Sequence, residues 1–183
     1  MIGPHHLDKS FQYSSKDLKK FLERPEDIDI KKSICIDVPC GNGRNIFFLA
    51  SHFDKVIGID INREYLNEIE TFKAVYRTNN ISCKIYDLKI IIPDEISKAN
   101  LVSIIHFYDK QVIEGIKRNL QPGAILFVET PNCRGGNYLD LPNENDLVTF
   151  LEGFDILSMK KNYCNSNYRE QKNISFTAVL IKC

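Results

Sequence analysis

Residues 34–50 read ICIDVPCGNGRNIFFLA, and they contain the first strand, loop and helix that the sequence predicts. The first five residues form an apolar run of the kind that becomes a buried parallel strand. A glycine-containing loop, GNG at 41–43, follows, and then an apolar face with helical spacing formed by Ile46, Leu49, Ala50 and Phe53. A strand that passes through such a loop into a helix predicts the start of a doubly wound α/β sheet, whose glycines bring the backbone close to a ligand.

The same alternation of strand and helix continues beyond this stretch. Further apolar runs predict strands at 55–60, 81–86, 101–105 and 124–128. Helical faces between them are formed by Tyr65, Ile69, Phe72 and Tyr76, and by Val112, Ile113, Ile116 and Leu120. Asn62 and Asp109 stand at the N-cap positions of these helices. Because strands and helices alternate, we predict a parallel sheet with right-handed crossovers.

The C-terminal third departs from this alternation. A helix over about 144–153 precedes two strand-like runs, 154–159 and 174–181, which predict an antiparallel hairpin at the sheet edge. The fold class expected is therefore a seven-stranded, Rossmann-like, mostly parallel sheet with an antiparallel C-terminal hairpin. We expect residues 33–183 to form this domain and residues 1–32 to form an N-terminal helical or lid segment, with a helix over Lys16–Leu22.

Composition narrows the class of protein. The chain has 183 residues, enough for one domain, and its 24 Lys and Arg balance its 24 Asp and Glu. A zero net charge argues against a general nucleic-acid binder, which needs a basic excess. The six cysteines contain no C-x2-C pair, and no apolar run is long enough to span a bilayer. Since residues 1–33 lack an apolar secretory segment, we expect a cytoplasmic protein with reduced thiols. We also expect a monomer or homodimer, and no bound metal because no C-x2-C pair is present.

An acidic residue closes the second predicted strand and indicates a nucleoside ligand. Asp60 stands where a carboxylate can accept hydrogen bonds from both ribose hydroxyls, and we expect it to be exposed at the strand end. The dinucleotide fingerprint requires a third glycine where this chain has Ile46, and the chain has no length for a separate substrate domain. Both features argue against NAD.

The segment DVPCGNGR at 37–44 resembles the first motif of the class I S-adenosylmethionine-dependent methyltransferase family, and it looks loosely like the small bacterial tellurite-resistance and thiol methyltransferases. The resemblance covers roughly residues 33–183. Pro39 departs from it, because the family has a glycine there. The resemblance implies methyl transfer to a small-molecule acceptor. The alternatives are an S-adenosylmethionine-binding protein without catalytic activity, acting as a sensor or partner subunit, and an NAD-dependent oxidoreductase.

The resemblance also implies a set of cofactor-binding residues. Asp37 would organise the loop and reach the amino-acid end of S-adenosylmethionine through water. Cys40, Gly41 and Gly43 would lie against the methionine moiety, and Asp60 would bind the ribose. We interpret Cys40 as a small packing residue and not as a nucleophile, because it lies in the cofactor loop.

The remaining positions follow the next strands. Ile61 would pack on the adenine, and Asp87, with Leu88 beside it, would accept a hydrogen bond from the adenine amino group. Ile105 and His106, which end the fourth strand, would face the sulfonium and the incoming nucleophile. His106 is the candidate catalytic residue, either as a general base or as pocket lining.

Other side chains are candidates for the acceptor side. Tyr108 is a second possible base or a wall of the pocket. The loop at 131–142 carries Arg134, which would bind an acidic acceptor or be solvated. The N-terminal side chains expected either to cover the cofactor or to belong to a disordered tail are His5, His6, Phe11 and Tyr13.

Overall fold

The structure, a computed structural model, describes residues 14–23, 33–133, 141–164 and 173–183. Five α-helices lie in these ranges: α1 (Lys16–Leu22), α2 (Ile46–Ala50), α3 (Arg63–Tyr76), α4 (Lys110–Asn119) and α5 (Glu144–Leu151). The strands are β1 (Ile34–Asp37), β2 (Lys55–Asp60), β3 (Ile81–Ile85), β4 (Leu101–Ile105), β5 (Ile125–Glu129), β6 (Phe154–Tyr163) and β7 (Ile174–Lys182). A 3₁₀ helix at Asp94–Lys98 lies between β3 and β4.

The seven strands form one sheet in the order β3-β2-β1-β4-β5-β7-β6. Strands β1 to β5 pair in parallel, and β7 pairs antiparallel with both β5 and β6. The predicted fold class is confirmed. Because the chain moves outward in opposite directions from β1 and from β4, the loops that follow these neighbouring strands diverge and leave a crevice at their carboxyl ends.

Apolar side chains cover both faces of the sheet. One core cluster joins β strands to α1, α2 and α3 through Leu18, Leu49 and Ile69, and the other joins them to α4 and α5 through Ile113 and Phe150. Such double coverage explains the nearly continuous apolar runs of the parallel strands.

The predicted elements differ from the structure by one or two residues at several ends, and three differences are larger. Helix α3 buries Leu66 and Ile69, whereas Tyr65, expected on the buried face, is 43% exposed, because the helix is rotated toward Leu66. The Asn62 and Asp109 side chains do cap α3 and α4. Helix α2 ends after five residues, so Phe53, which the sequence predicts on the apolar face of this helix, lies beyond its end, although its side chain is buried. Strand β6 runs four residues beyond the predicted end, since an edge strand tolerates the exposed polar residues at 160–162.

Helix α1 is docked on the sheet. Ser15 caps it by accepting a hydrogen bond from the Leu18 amide (3.1 Å), and the Leu18 side chain is fully buried. The Phe21 ring lies 6.2 Å from the ring of Phe127 on β5. The predicted helix over Lys16–Leu22 is therefore confirmed, while the division of the chain at residue 32 stays a prediction.

The expectation that all thiols are reduced is wrong for two of the six cysteines. Cys133, after β5, and Cys164, after β6, form a disulfide, and the other four cysteines are free thiols. The sequence could not show this pairing, because the 31-residue separation says nothing about which strands become neighbours. Within the described ranges, no helix is both long and apolar enough to cross a bilayer.

Candidate cofactor and acceptor site

The glycine loop lies between β1 and α2, at the carboxyl edge of the sheet. Gly41 and Gly43 both have positive φ angles, +54° and +87°, which residues other than glycine rarely adopt. A Cβ on Gly41 would meet no atom within 4 Å, whereas one on Gly43 would lie 2.7 Å from Cγ1 of Ile69. Gly41 therefore borders open space, and Gly43 allows α3 to approach the loop.

Asp60 connects this loop to the end of β2. Its Oδ2 accepts a hydrogen bond from the Gly41 amide and its Oδ1 from the Asn62 amide, each at 2.8 Å. The expectation of an exposed carboxylate is wrong, since Asp60 is only 7% exposed. The hydrogen bonds from these two backbone amides hold the Asp60 carboxylate beneath the loop. Each carboxylate oxygen keeps a further lone pair, which can accept from a ribose hydroxyl.

Asp37 is the most deeply buried acid of the site. It is 1% exposed, and its Oδ1 accepts a hydrogen bond from the Ser103 hydroxyl at 2.7 Å. Burial raises the pKa of Asp37 to about 7, with a further rise from the charge of Asp60, against the opposing effects of Ser103 and Arg44. Its Oδ2 is buried without a hydrogen-bond partner among the described residues. A buried acceptor without a partner is costly, and it fits a cationic donor such as an ammonium group.

His106 lies where β4 ends beside β5, and three contacts hold it. Its φ is +57°, and its amide donates to the carbonyl of Glu129 at 2.6 Å. Its ring Nε2 lies 2.9 Å from Glu129 Oε1, and its Nδ1 lies 2.9 Å from Nη2 of Arg44. Because a guanidinium can only donate, Nδ1 is the acceptor in this arrangement. Nε2 therefore carries the ring proton and donates a hydrogen bond to Glu129. In this state His106 has no free lone pair for use as a base.

Glu129 is a functional candidate that the sequence reasoning missed. It ends β5, one residue beyond the predicted strand, and accepts hydrogen bonds from both His106 and the hydroxyl of Ser15 in α1's N-cap. Burial acts to raise the pKa of Glu129, but these two hydrogen bonds, together with the charge of His106 when it is protonated, leave the pKa lowered. Its position at a strand end, as for Asp37 and Asp60, was the available signal.

The other proposed cofactor residues lie along the same edge. Ile61 is 63% exposed, as an adenine-packing surface would be, and the Asp87 Oδ1 accepts from the Lys89 amide at 3.0 Å. Leu88 packs against the core. The side chains of Cys40 and Ile105 are buried in the cluster beneath α2. No contact in the structure tests their roles toward a cofactor, which stay predictions.

An open cavity of about 480 Å³ lies between the loops that follow β3 and β4, and it is lined by Lys89 and by residues 107–111. Within it, burial raises the pKa of Tyr108, and the charges of Asp146, Glu114 and Asp109 raise it further. The phenol is therefore protonated near neutral pH and can serve as a donor, which argues against Tyr108 as a base. Arg134 and the four proposed lid residues at 5, 6, 11 and 13 lie outside the described residues.

Comparisons with known proteins place these features in a family. The family described as tellurite resistance protein TehB matches residues 23–126, more than half of the chain. The match confirms the predicted resemblance to tellurite-resistance methyltransferases. No curated protein sequence matches significantly.

Solved structures show the same fold at low identity. A structure described as SAM-dependent methyltransferases from Methanosarcina mazei has 19% identity and a TM-score of 0.64, covering 92% of this chain and 98% of that one. TehB from Haemophilus influenzae has 15% identity and a TM-score of 0.66, covering 93% and 63%. M. jannaschii TYW2, in complex with AdoMet, has 13% identity and a TM-score of 0.58, covering 93% and 78%.

Proposed function

Because this chain belongs to the tellurite resistance protein TehB family, we propose that it is a methyltransferase that uses S-adenosylmethionine and a small-molecule acceptor. One observation carries the proposal. Oδ2 of Asp37, at the end of β1, is buried with no hydrogen-bond partner among the described residues. The loop that follows it contains Gly41, which borders open space and donates to Asp60, whose oxygens retain free lone pairs. This set suits a ligand with an ammonium group at one end and a ribose at the other.

The remaining residues have roles consistent with this ligand. Ile61 would cover the adenine, with Asp87 and Leu88 at its edge, while Cys40, Gly43 and Ile105 would shape the floor beneath the methionine end. When bound, S-adenosylmethionine supplies a methyl group whose carbon–sulfur bond breaks with its electrons on sulfur as the acceptor's lone pair bonds to carbon. The protein's contribution is then positioning and exclusion of water.

His106 is the proposed acceptor-side residue. With Nδ1 engaged by Arg44, the ring as described can orient an acceptor but cannot deprotonate it. An acceptor that attacks as an anion, such as a thiolate or an oxyanion, needs no such base. An amine or alcohol needs the Nδ1 lone pair to be released first.

Calorimetry with S-adenosylhomocysteine and NAD tests the cofactor. We expect micromolar binding of S-adenosylhomocysteine. We expect no heat of binding from NAD, because Ile46 stands where the dinucleotide fingerprint has its third glycine. Binding of NAD alone would refute the assignment. Binding of S-adenosylhomocysteine without turnover on thiol, amine, hydroxyl and oxyanion acceptors would favour the catalytically silent alternative.

The variant His106→Ala tests the acceptor side on the same panel. With an amine or alcohol we expect turnover to fall roughly 10²-fold or more while S-adenosylhomocysteine affinity stays nearly constant. With a soft anion we expect KM for the acceptor to change more than kcat. Wild-type turnover on every active acceptor would leave His106 as pocket lining.

The cytoplasmic location is also part of the proposal. Four of the six cysteines are free thiols, which suits a reducing compartment, whereas the Cys133–Cys164 disulfide is unusual there. Fractionation of cells that express the protein, with a cytoplasmic marker enzyme as control, tests it.

A further inference from the structure

Arg44 occupies a position that the cofactor assignment leaves unexplained. It follows Gly43 directly in the cofactor loop, and its side chain is half-buried. Among the described residues, its guanidinium has a single hydrogen-bonding partner, Nδ1 of His106 at 2.9 Å. A guanidinium has five N–H donors in a fork that matches a carboxylate, so a single bond to a neutral ring nitrogen uses little of its capacity.

A second observation places an opposite charge nearby. The charge of Arg44 acts on the buried carboxyl of Asp37, whose Oδ2 has no hydrogen-bond partner among the described residues. A cationic side chain and an unpartnered acidic oxygen therefore border the same loop. An α-amino acid group has the complementary pair of charges, an ammonium for Asp37 and a carboxylate for Arg44.

We propose that Arg44 is a two-position residue, which binds the carboxylate at the amino-acid end of the cofactor and thereby releases Nδ1 of His106 for the acceptor. This inference rests on the proposed function. A carboxylate takes two parallel N–H bonds from the guanidinium and carries the opposite charge, whereas the ring nitrogen takes one bond and is neutral, so the carboxylate competes successfully for the guanidinium. The ring of His106 stays in place, because Glu129 holds Nε2 and the main-chain amide.

The exchange makes the acceptor side depend on the cofactor side. Without cofactor, Arg44 occupies the His106 lone pair; with it, Nδ1 is free to accept a proton or hydrogen bond from the acceptor. Binding would therefore be ordered, with the cofactor before any acceptor that needs Nδ1.

Ligands that differ only at the amino-acid end test the first half. Calorimetry compares S-adenosylhomocysteine with its decarboxylated analogue on wild type, Arg44→Ala and Arg44→Lys, with Arg118→Ala as the matched control. Arg118 is an exposed arginine in the last turn of α4. We expect Arg44→Ala to weaken S-adenosylhomocysteine roughly tenfold to a hundredfold, to change the analogue's affinity less than threefold, and Arg44→Lys to recover part of the loss. An equal loss for both ligands would overturn the carboxylate contact.

Nitrogen-15 NMR of the histidine side chains tests the second half without turnover. The chain has four histidines, and the resonances of His106 are identified by their loss in His106→Gln. We expect S-adenosylhomocysteine, but not the decarboxylated analogue, to shift the Nδ1 signal as its donor leaves. Saturating S-adenosylhomocysteine with an unchanged Nδ1 signal would overturn the release. Failure of S-adenosylhomocysteine to bind wild type at all would instead refute the proposed function on which the inference rests.

Discussion

The ionisation of Asp37 should make the ligand-free protein less stable as the pH rises from 5 to 8. Its folded-state pKa is about 7, against an ordinary value of 3.8, because it is buried. The folded protein therefore holds a proton on Asp37 that the unfolded chain has already released at pH 5. A raised acid pKa stabilises the fold at low pH, and this contribution is lost as the pH rises toward and past 7.

The size of the effect follows from the two pKa values. Linkage gives a loss of about 2 kcal/mol by pH 5 and about 4 kcal/mol by pH 8, hence roughly 2–3 kcal/mol between them. Urea unfolding at half-unit pH steps, without cofactor, measures it. We expect Asp37→Asn to remove this slope, because an amide does not titrate.

Asp155→Asn is the matched control, since Asp155 is an exposed carboxylate on β6 and should leave the slope unchanged. The comparison of Asp37→Asn with wild type also subtracts every contribution to the slope that the two proteins share. Equal slopes for wild type and Asp37→Asn would refute the assignment of a raised pKa to the buried Asp37.

Three further outcomes are expected. Gly43→Ala should lower the free energy of unfolding by about 2–4 kcal/mol, because the cost of a positive φ adds to the cost of an overpacked contact with α3. Gly41→Ala, which has only the first of these costs, should lower it by about 1–2 kcal/mol in the same urea assay. Equal losses for the two variants would contradict the packing argument. Asp60→Ala should weaken S-adenosylhomocysteine tenfold or more in calorimetry and also destabilise the protein by about 1–3 kcal/mol, since two loop amides lose their acceptor; a fully stable variant would show that those amide bonds are dispensable. Thiol titration of the denatured, unreduced protein should find four free thiols, and six would show that Cys133 and Cys164 are not bonded.

Much of the architecture could be predicted from periodicity alone. The apolar runs at Lys55–Asp60 and Leu101–Ile105 have the same bounds as strands β2 and β4, and the caps at Asn62 and Asp109 lie where helices α3 and α4 begin. Strands buried on both faces and capped helices have local signatures, so the sequence near each element is sufficient. Boundaries set by pairing were less accessible, as the extended β6 shows.

The fold class, the glycine loop and the acids that end β1 and β2 could be predicted without a structure, because each depends on residues close together in the chain. The folded chain was needed to show that Glu129 bonds both Ser15 and His106, that Arg44 occupies Nδ1 of His106, and that Cys133 pairs with Cys164. These residues lie between 23 and 114 positions from their partners along the chain. Contacts at such separations are set by strand order and side-chain direction, which no local pattern of residues encodes.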